Sequence, residues 1–205
     1  MRQIYVIQHC QSEHHVNNMT GGWTDTPLTE LGKRQAEAVG IRLQKNLDPN
    51  EYSLYASDLM RASQTASIIG EQLNIQVKKN NSLREINTGI AAGKTKDWAR
   101  VNRNPRNSEG FDLDYQEFQN GETWRQFYTR VSNCMENICE IDKSNLIIVT
   151  HGGTLAYIIA WWLKFTPEML NTAYFSGSVG SISLLNNNSF KQNILQLFND
   201  TSHLV

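Results

Sequence analysis

Ile4-Tyr5-Val6-Ile7-Gln8-His9-Cys10 is an apolar run that stops abruptly. Ile4 to Ile7 contains no polar residue, which predicts a short strand buried on both faces. Gln8, His9, Gln11, Ser12, Glu13, His14 and His15 then crowd its carboxyl end. In open α/β sheets the ligand crevice lies outside the carboxyl ends of the strands. On its own, a histidine there reads first as a surface residue after an edge strand, since one His after one strand is a weak signal.

A second segment has the same form. Leu146 to Val149 is again wholly apolar, and Thr150-His151-Gly152-Gly153 follows it. Between the two, helices and strands alternate. Thr29 caps a helix running to about Leu47, with Val39, Leu43 and Leu47 on its buried side. Tyr52 to Ala56 reads as a strand. Ser57 reads as the N-cap of a helix whose apolar positions are Leu59, Ala62, Ala66, Ile69 and Leu73, with Asp58 at its positive end. Ile75 to Val77 reads as a further strand, and Leu83-Arg84-Glu85-Ile86 as the loop after it. Trp124, Phe127, Val131, Cys134, Ile138 and Ile141 mark an amphipathic helix opened by Gly121-Glu122-Thr123. A buried helix from Thr154 to Leu163 and late strands near residues 179–185 and 194–198 complete the series. The alternation predicts one three-layer α/β/α domain over residues 1–205, with a mostly parallel central sheet and helices on both faces. Residues 94–120 break the pattern and read as an excursion, a candidate lid.

Composition narrows the function. The chain has 205 residues, 40% of them hydrophobic, and a net charge of −1, so nothing suggests a nucleic-acid surface and any anion site must be built locally. No signal segment or membrane span is read, and Cys10, Cys134 and Cys139 form no paired motif. Reduced thiols in a cytoplasmic protein, monomeric or homodimeric, are expected. Cys134 belongs to a core stripe, as do Trp161 and Trp162 to the core.

The two strand ends put His9 and His151 at one sheet edge. Arg61 arrives there on the helix after the second strand, and Glu85 on the loop after the third. Two imidazoles, a guanidinium, a carboxylate and a Gly-Gly helix start make a coherent phosphate site. The N–H groups near Gly152 and Gly153 are placed to hold an oxyanion, and Arg61 offers forked hydrogen bonds. A zinc site from Cys10, His14, His15 and His151 follows no common spacing, so no metal or cofactor is expected.

These segments together resemble the histidine phosphatase superfamily, in its phosphoglycerate mutase-like branch. Gln8-His9-Cys10 stands where the family has Arg-His-Gly. Gly22-Trp23-Thr24-Asp25-Thr26-Pro27-Leu28-Thr29-Glu30-Leu31-Gly32, Ser57-Asp58-Leu59-Met60-Arg61-Ala62-Ser63-Gln64-Thr65-Ala66, Leu83-Arg84-Glu85-Ile86, Val149-Thr150-His151-Gly152-Gly153 and Asn199-Asp200-Thr201-Ser202-His203-Leu204 follow in order. The resemblance implies that His9 accepts a phosphoryl group, that Glu85 is the proton donor and then the base, and that Arg61 and His151 stabilise the transferred group. It also implies that Ser12, His15, Gly21 and Gly22 line the mouth of the pocket. Glycine gives way to Cys10, asparagine to His15, and bulkier or acidic residues to Ala91-Ala92.

Gln8 replaces an arginine that contacts phosphate in the family. Losing one preorganised donor costs on the order of 10²–10³ in rate, so weakened turnover is expected. The expected activity is a phosphomonoesterase acting on small phosphorylated metabolites. A mutase, and a phosphate-ligand binding protein without turnover, are the alternatives. His14 and His15 otherwise read as ordinary loop histidines, and His203 as part of the tail.

Overall fold

The computed structural model describes residues 2–106 and 109–204. Six strands form one sheet: β1 (Ile4–Gln8), β2 (Tyr52–Ala56), β3 (Val77–Lys79), β4 (Asn145–Thr150), β5 (Ile182–Asn187) and β6 (Asn193–Asp200), in the order β3-β2-β4-β1-β5-β6. The first four are mutually parallel, while β5 pairs antiparallel with both β1 and β6 at one end. The helices are α1 (Glu13–Val16), α2 (Glu30–Gln44), α3 (Met60–Leu73), α4 (Lys96–Val101), α5 (Trp124–Ile141) and α6 (Gly152–Trp162).

The unbroken apolar runs have a direct cause. Successive strand side chains point to opposite faces, and here both faces are covered. Ile4, Val6, Leu146 and Ile148 pack with α5 and α6. Tyr5, Ile7, Ile147 and Val149 pack with α2 and α3. The stripe of α5 is buried from Phe127 to Ile138, including Cys134, and surfaces at Ile141. Trp161 and Trp162 lie in the core. All three cysteines are free. Among the described residues, no helix is long and apolar enough to cross a membrane.

Several sequence expectations move. β3 starts at Val77 and not Ile75, because the chain first closes α3 through a left-handed Asn74. The last strand runs eight residues, to Asp200. Ser57 does not cap α3: the helix begins at Met60, whose N–H is held by Asp25 Oδ1 at 2.6 Å. Asp58 meets Arg84 at 2.6 Å instead of serving the helix end. α6 starts two residues early, with His151 itself at the N-cap. In the excursion, α4 covers six residues, and Thr95 pairs with Met19. The lid expectation lies partly outside the described residues, since positions 107 and 108 are not among them.

Candidate active site

Strand register assembles the site. Gln8 is level with Thr150, and Ala56 with Val149. The residues just past β1, β4 and β2 are therefore His9, His151 and Ser57, side by side at one edge. Backbone bonds hold them there: His9 N donates to Thr150 O at 2.7 Å, and Ser57 N to Val149 O at 3.0 Å. The imidazoles of His9 and His151 meet edge-on, with ring centroids 5.1 Å apart.

His9 is 3% exposed. Its Nδ1 lies 2.8 Å from Cys10 O. A carbonyl only accepts, so Nδ1 carries the hydrogen and Nε2 keeps its lone pair. Arg61 Nε, which can only donate, points at that same Nε2 at 3.1 Å. Both contacts select one tautomer. Burial, reinforced by the Arg61 charge, holds the ring well below the ordinary histidine pKa. His9 is thus a neutral imidazole with its lone pair in the site.

Arg61 is 1% exposed, and each of its three nitrogens donates one hydrogen bond. Besides His9 it donates to Thr24 O at 2.6 Å and Gly22 O at 2.7 Å. Gly22 therefore acts through its carbonyl. It sits at φ +58, and a Cβ there would strike Thr88 at 2.5 Å, so only glycine suits the turn.

Ser57 is the residue the sequence reading misassigned. Its Oγ lies 2.8 Å from His151 Nε2 and accepts from Leu59 N at 3.3 Å. While accepting there, the Ser57 hydroxyl can still give its own hydrogen to Nε2. The hydrogen of His151 then sits on Nδ1, a buried atom with no partner among the described residues. Burial, aided by Arg61, keeps this ring neutral as well. An unpartnered, buried ring nitrogen at a site edge is a place for an anion oxygen.

Glu85 comes from the loop after β3, and six side-chain hydrogen bonds fix the backbone of that loop. Trp23 Nε1 and Arg130 Nη2 both donate to its carbonyl, at 2.8 and 3.0 Å. Arg130 also holds Ser82 O and Arg84 O, and pairs with Glu122 at 2.7 Å. Thr150 Oγ1 donates to Leu83 O and Thr154 Oγ1 to Arg84 O, at 2.7 and 2.9 Å. The carboxyl accepts from Ile86 N at 2.8 Å and from Gly153 N at 2.9 Å. The Gly153 N–H is therefore not free for an oxyanion as expected. The positive end of α6 has drawn in a side-chain carboxyl. Burial still outweighs these bonds and raises the Glu85 pKa above the ordinary carboxyl value.

The remaining expected residues are all near. Gln8 is 9% exposed, and its Oε1 is buried without a partner among the described residues. It fits beside Gly152 and Gly177: a Cβ at Gly177 would lie 2.8 Å from that oxygen. Cys10 needs no left-handed backbone, and burial pushes its thiol up to about 12. Ser12 is buried, with its Oγ 2.8 Å from His14 Nδ1 and its N–H donated to His15 Nδ1 at 3.1 Å. His14 and His15 are not in an open loop. They form α1, and the His15 ring stacks on His9 with centroids 5.5 Å apart. Burial lowers the pKa of both, His14 down to about 3. Gly21 lies at the rim, where a Cβ would come 4.0 Å from His14 Nε2. Among the described residues, no group of three or more His, Cys, Asp or Glu side chains is arranged to hold a metal ion.

The histidine phosphatase superfamily (branch 1) model matches residues 4–201. This chain belongs to that family. Among curated histidine phosphatase relatives, it is 27% identical to a broad-specificity phosphatase of Saccharomyces cerevisiae, over 98% of this chain and 87% of that protein. It is 30% identical to a 2,3-bisphosphoglycerate-dependent phosphoglycerate mutase of Cytophaga hutchinsonii, over 80% of this chain and 79% of that one. Among solved structures, the alpha-ribazole phosphatase of Shigella flexneri superposes with a TM-score of 0.80 at 23% identity, covering 97% and 96% of the two chains. The likeness extends to the α/β fold, with helices on both sides of the mixed sheet.

Proposed function

We propose that this chain is a metal-independent phosphomonoesterase working through a phosphohistidine on His9. The observation that supports it most is the tautomer: a buried, neutral imidazole whose Nε2 lone pair faces the site beside Arg61 and the unpartnered Nδ1 of His151.

In the first step the Nε2 electron pair attacks phosphorus and the P–O ester bond breaks. Glu85, whose hold on its proton burial strengthens, gives that proton to the leaving oxygen. Arg61 turns N–H bonds onto the phosphoryl oxygens, and His151 adds its Nδ1–H. These donors act where charge spreads in the transition state. In the second step the Glu85 carboxylate takes a proton from water as the water oxygen attacks phosphorus. The P–N bond breaks, its electrons return to Nε2, and inorganic phosphate leaves. Gln8 supplies an amide in place of a charge, which fits a slower first step. Ser12 and Gly22 act as positioning residues, Ser12 for His14 and His15 and Gly22 for Arg61.

The test is release of phosphate from p-nitrophenyl phosphate in the presence of a chelator, with alkaline quench to trap an acid-labile, base-stable phosphoprotein. His9→Ala should abolish both signals. Phosphate release by His9→Ala, or activity lost to the chelator, would refute the reading. The mutase relative motivates a second reading, in which phosphate passes between two hydroxyls of one substrate. Interconversion of phosphoglycerates faster than phosphate release would select it. A ligand-binding protein without turnover is the third, favoured by Gln8 and revealed by tight vanadate binding without hydrolysis. Three free thiols and a net charge of −1 fit a reducing compartment and a small-metabolite substrate.

A further inference from the structure

Beside Glu85 opens a cleft of about 450 Å³, walled by Phe111, Trp124, Tyr157, Leu170 and Tyr174, with Asn171 and Thr172 as its polar members. None of the described lining side chains is charged. The cleft lies about one turn along α6 from the candidate active site. Gly153, which holds the Glu85 carboxyl, and Tyr157, which floors the cleft, are one turn apart on the same helix face. Glu85 lies close enough to the hydroxyls of both Tyr157 and Tyr174 to act on them electrostatically. On the far side, the segment carrying Tyr174 runs on to Gly177, which packs against Gln8.

The cations next to this cleft in sequence are not available to it. Arg125 follows Trp124 but is bound by Asp114 at 2.8 Å and by Glu168 at 2.9 Å. Phe111 and Trp124 instead pack against each other at a tilt, with centroids 5.5 Å apart. Phe111 is 43% exposed and Tyr174 60% exposed, a combination that leaves aromatic surface at the mouth uncovered. A ligand group with its own carboxylate or second phosphate would lose hydration there and gain no partner. An apolar group would gain from the same wall.

We propose that this cleft holds the alcohol portion of the substrate, and that the preferred esters are phosphates of aryl or medium-chain alkyl alcohols, not of hydroxy acids or sugars. The proposal rests on the phosphomonoesterase reading for turnover, though not for binding. Alkyl phosphates test it without changing leaving-group chemistry. Measured from ethyl through hexyl phosphate, kcat/KM should rise about threefold or more per methylene, reaching on the order of 10²-fold. Affinity of His9→Ala for the same series, by calorimetry, should rise in parallel. Phe111→Glu should erase most of the gain with length while leaving ethyl phosphate within about twofold. Leu170→Ala supplies the same test from the opposite wall should the first variant fail to fold. A flat series in both kcat/KM and affinity overturns the cleft and leaves the phosphatase standing. So does a slope that survives both variants. Absent turnover with affinity still rising with chain length overturns the phosphatase and leaves the cleft.

Discussion

Replacing Gly153 by alanine separates the proton donor from the rest of the site. A methyl at this position would sit 2.4 Å from Glu85 Oε1 and 3.0 Å from Phe127 Cε1. Ordinary contact begins at 3.4 Å, so something must move by about 1 Å. Phe127 is fully buried and packed at a tilt against Tyr157, with centroids 4.8 Å apart, so it has nowhere to go. The carboxyl has to yield, weakening its bond from the Gly153 N–H. Misplacing a reacting group by about 1 Å costs on the order of 10²-fold, within the 10²–10⁴-fold range of general acid catalysis. The loss should depend on the ester. An alkyl alkoxide needs the proton, so kcat/KM for hexyl phosphate should fall about 10²–10³-fold. p-Nitrophenolate leaves without it, so its ester should lose less than about tenfold. The ratio kcat/KM is the right quantity because it stops at leaving-group departure, before water attacks. Overpacking of this kind costs about 1–3 kcal/mol, a loss of roughly 2–12 °C in melting temperature for a chain of this size, so the variant remains folded at assay temperature. Equal losses on the two esters would refute the assignment of Glu85 as the acid.

Gln8→Arg should raise kcat by about tenfold or more, up to the 10²–10³-fold that one such donor is worth, and lower the melting temperature of the unliganded protein by burying a second cation beside Arg61. Added vanadate should restore that temperature; an unchanged rate would show that another group already does the work. Ser57→Ala should cost about tenfold or more in kcat/KM and shift the pH profile, because His151 loses the hydroxyl that fixes its hydrogen on Nδ1; a loss with no change in profile would contradict that role. Because Glu85 is raised and His9 lowered, both reactive forms coexist over a broad range, and kcat/KM should climb as the pH falls from about 8 toward about 5; a flat profile would count against the pair. Stability should run the other way. The unfolded chain protonates its histidines below about pH 6.5 while the folded His9 and His151 resist. Each then subtracts up to about 1.4 kcal/mol per pH unit, so thermal melts of the unliganded protein should shift downward from pH 7 to pH 5.

The parts of this molecule that could be read from the chain are those fixed by short-range pattern. Two all-apolar runs ending in histidine gave both central strands, and the three-four spacing through Ala62 and Val131 gave two helices. Parallel pairing then forces both histidines to one edge. Ser57 was opaque because a serine between strand and helix looks the same whether it caps the helix or orients an imidazole 94 positions away. The bond between Glu85 and Gly153 spans 68 residues, and no local signal announces it. Arg130 stands on the polar margin of an amphipathic helix, where most arginines are solvated, yet it clamps the Glu85 loop. His14 and His15 occupy a helix of four residues, too short to show a period.

The bond from Arg61 to the lone pair of His9 gives the resting protein a latch. A neutral electrophile entering the pocket finds the ring already engaged and has nothing to offer the guanidinium in exchange. An anionic ester does, since its oxygens bind that group better than an imidazole can. The cargo itself therefore uncovers the atom that will attack it, and reagents without negative charge meet a closed door.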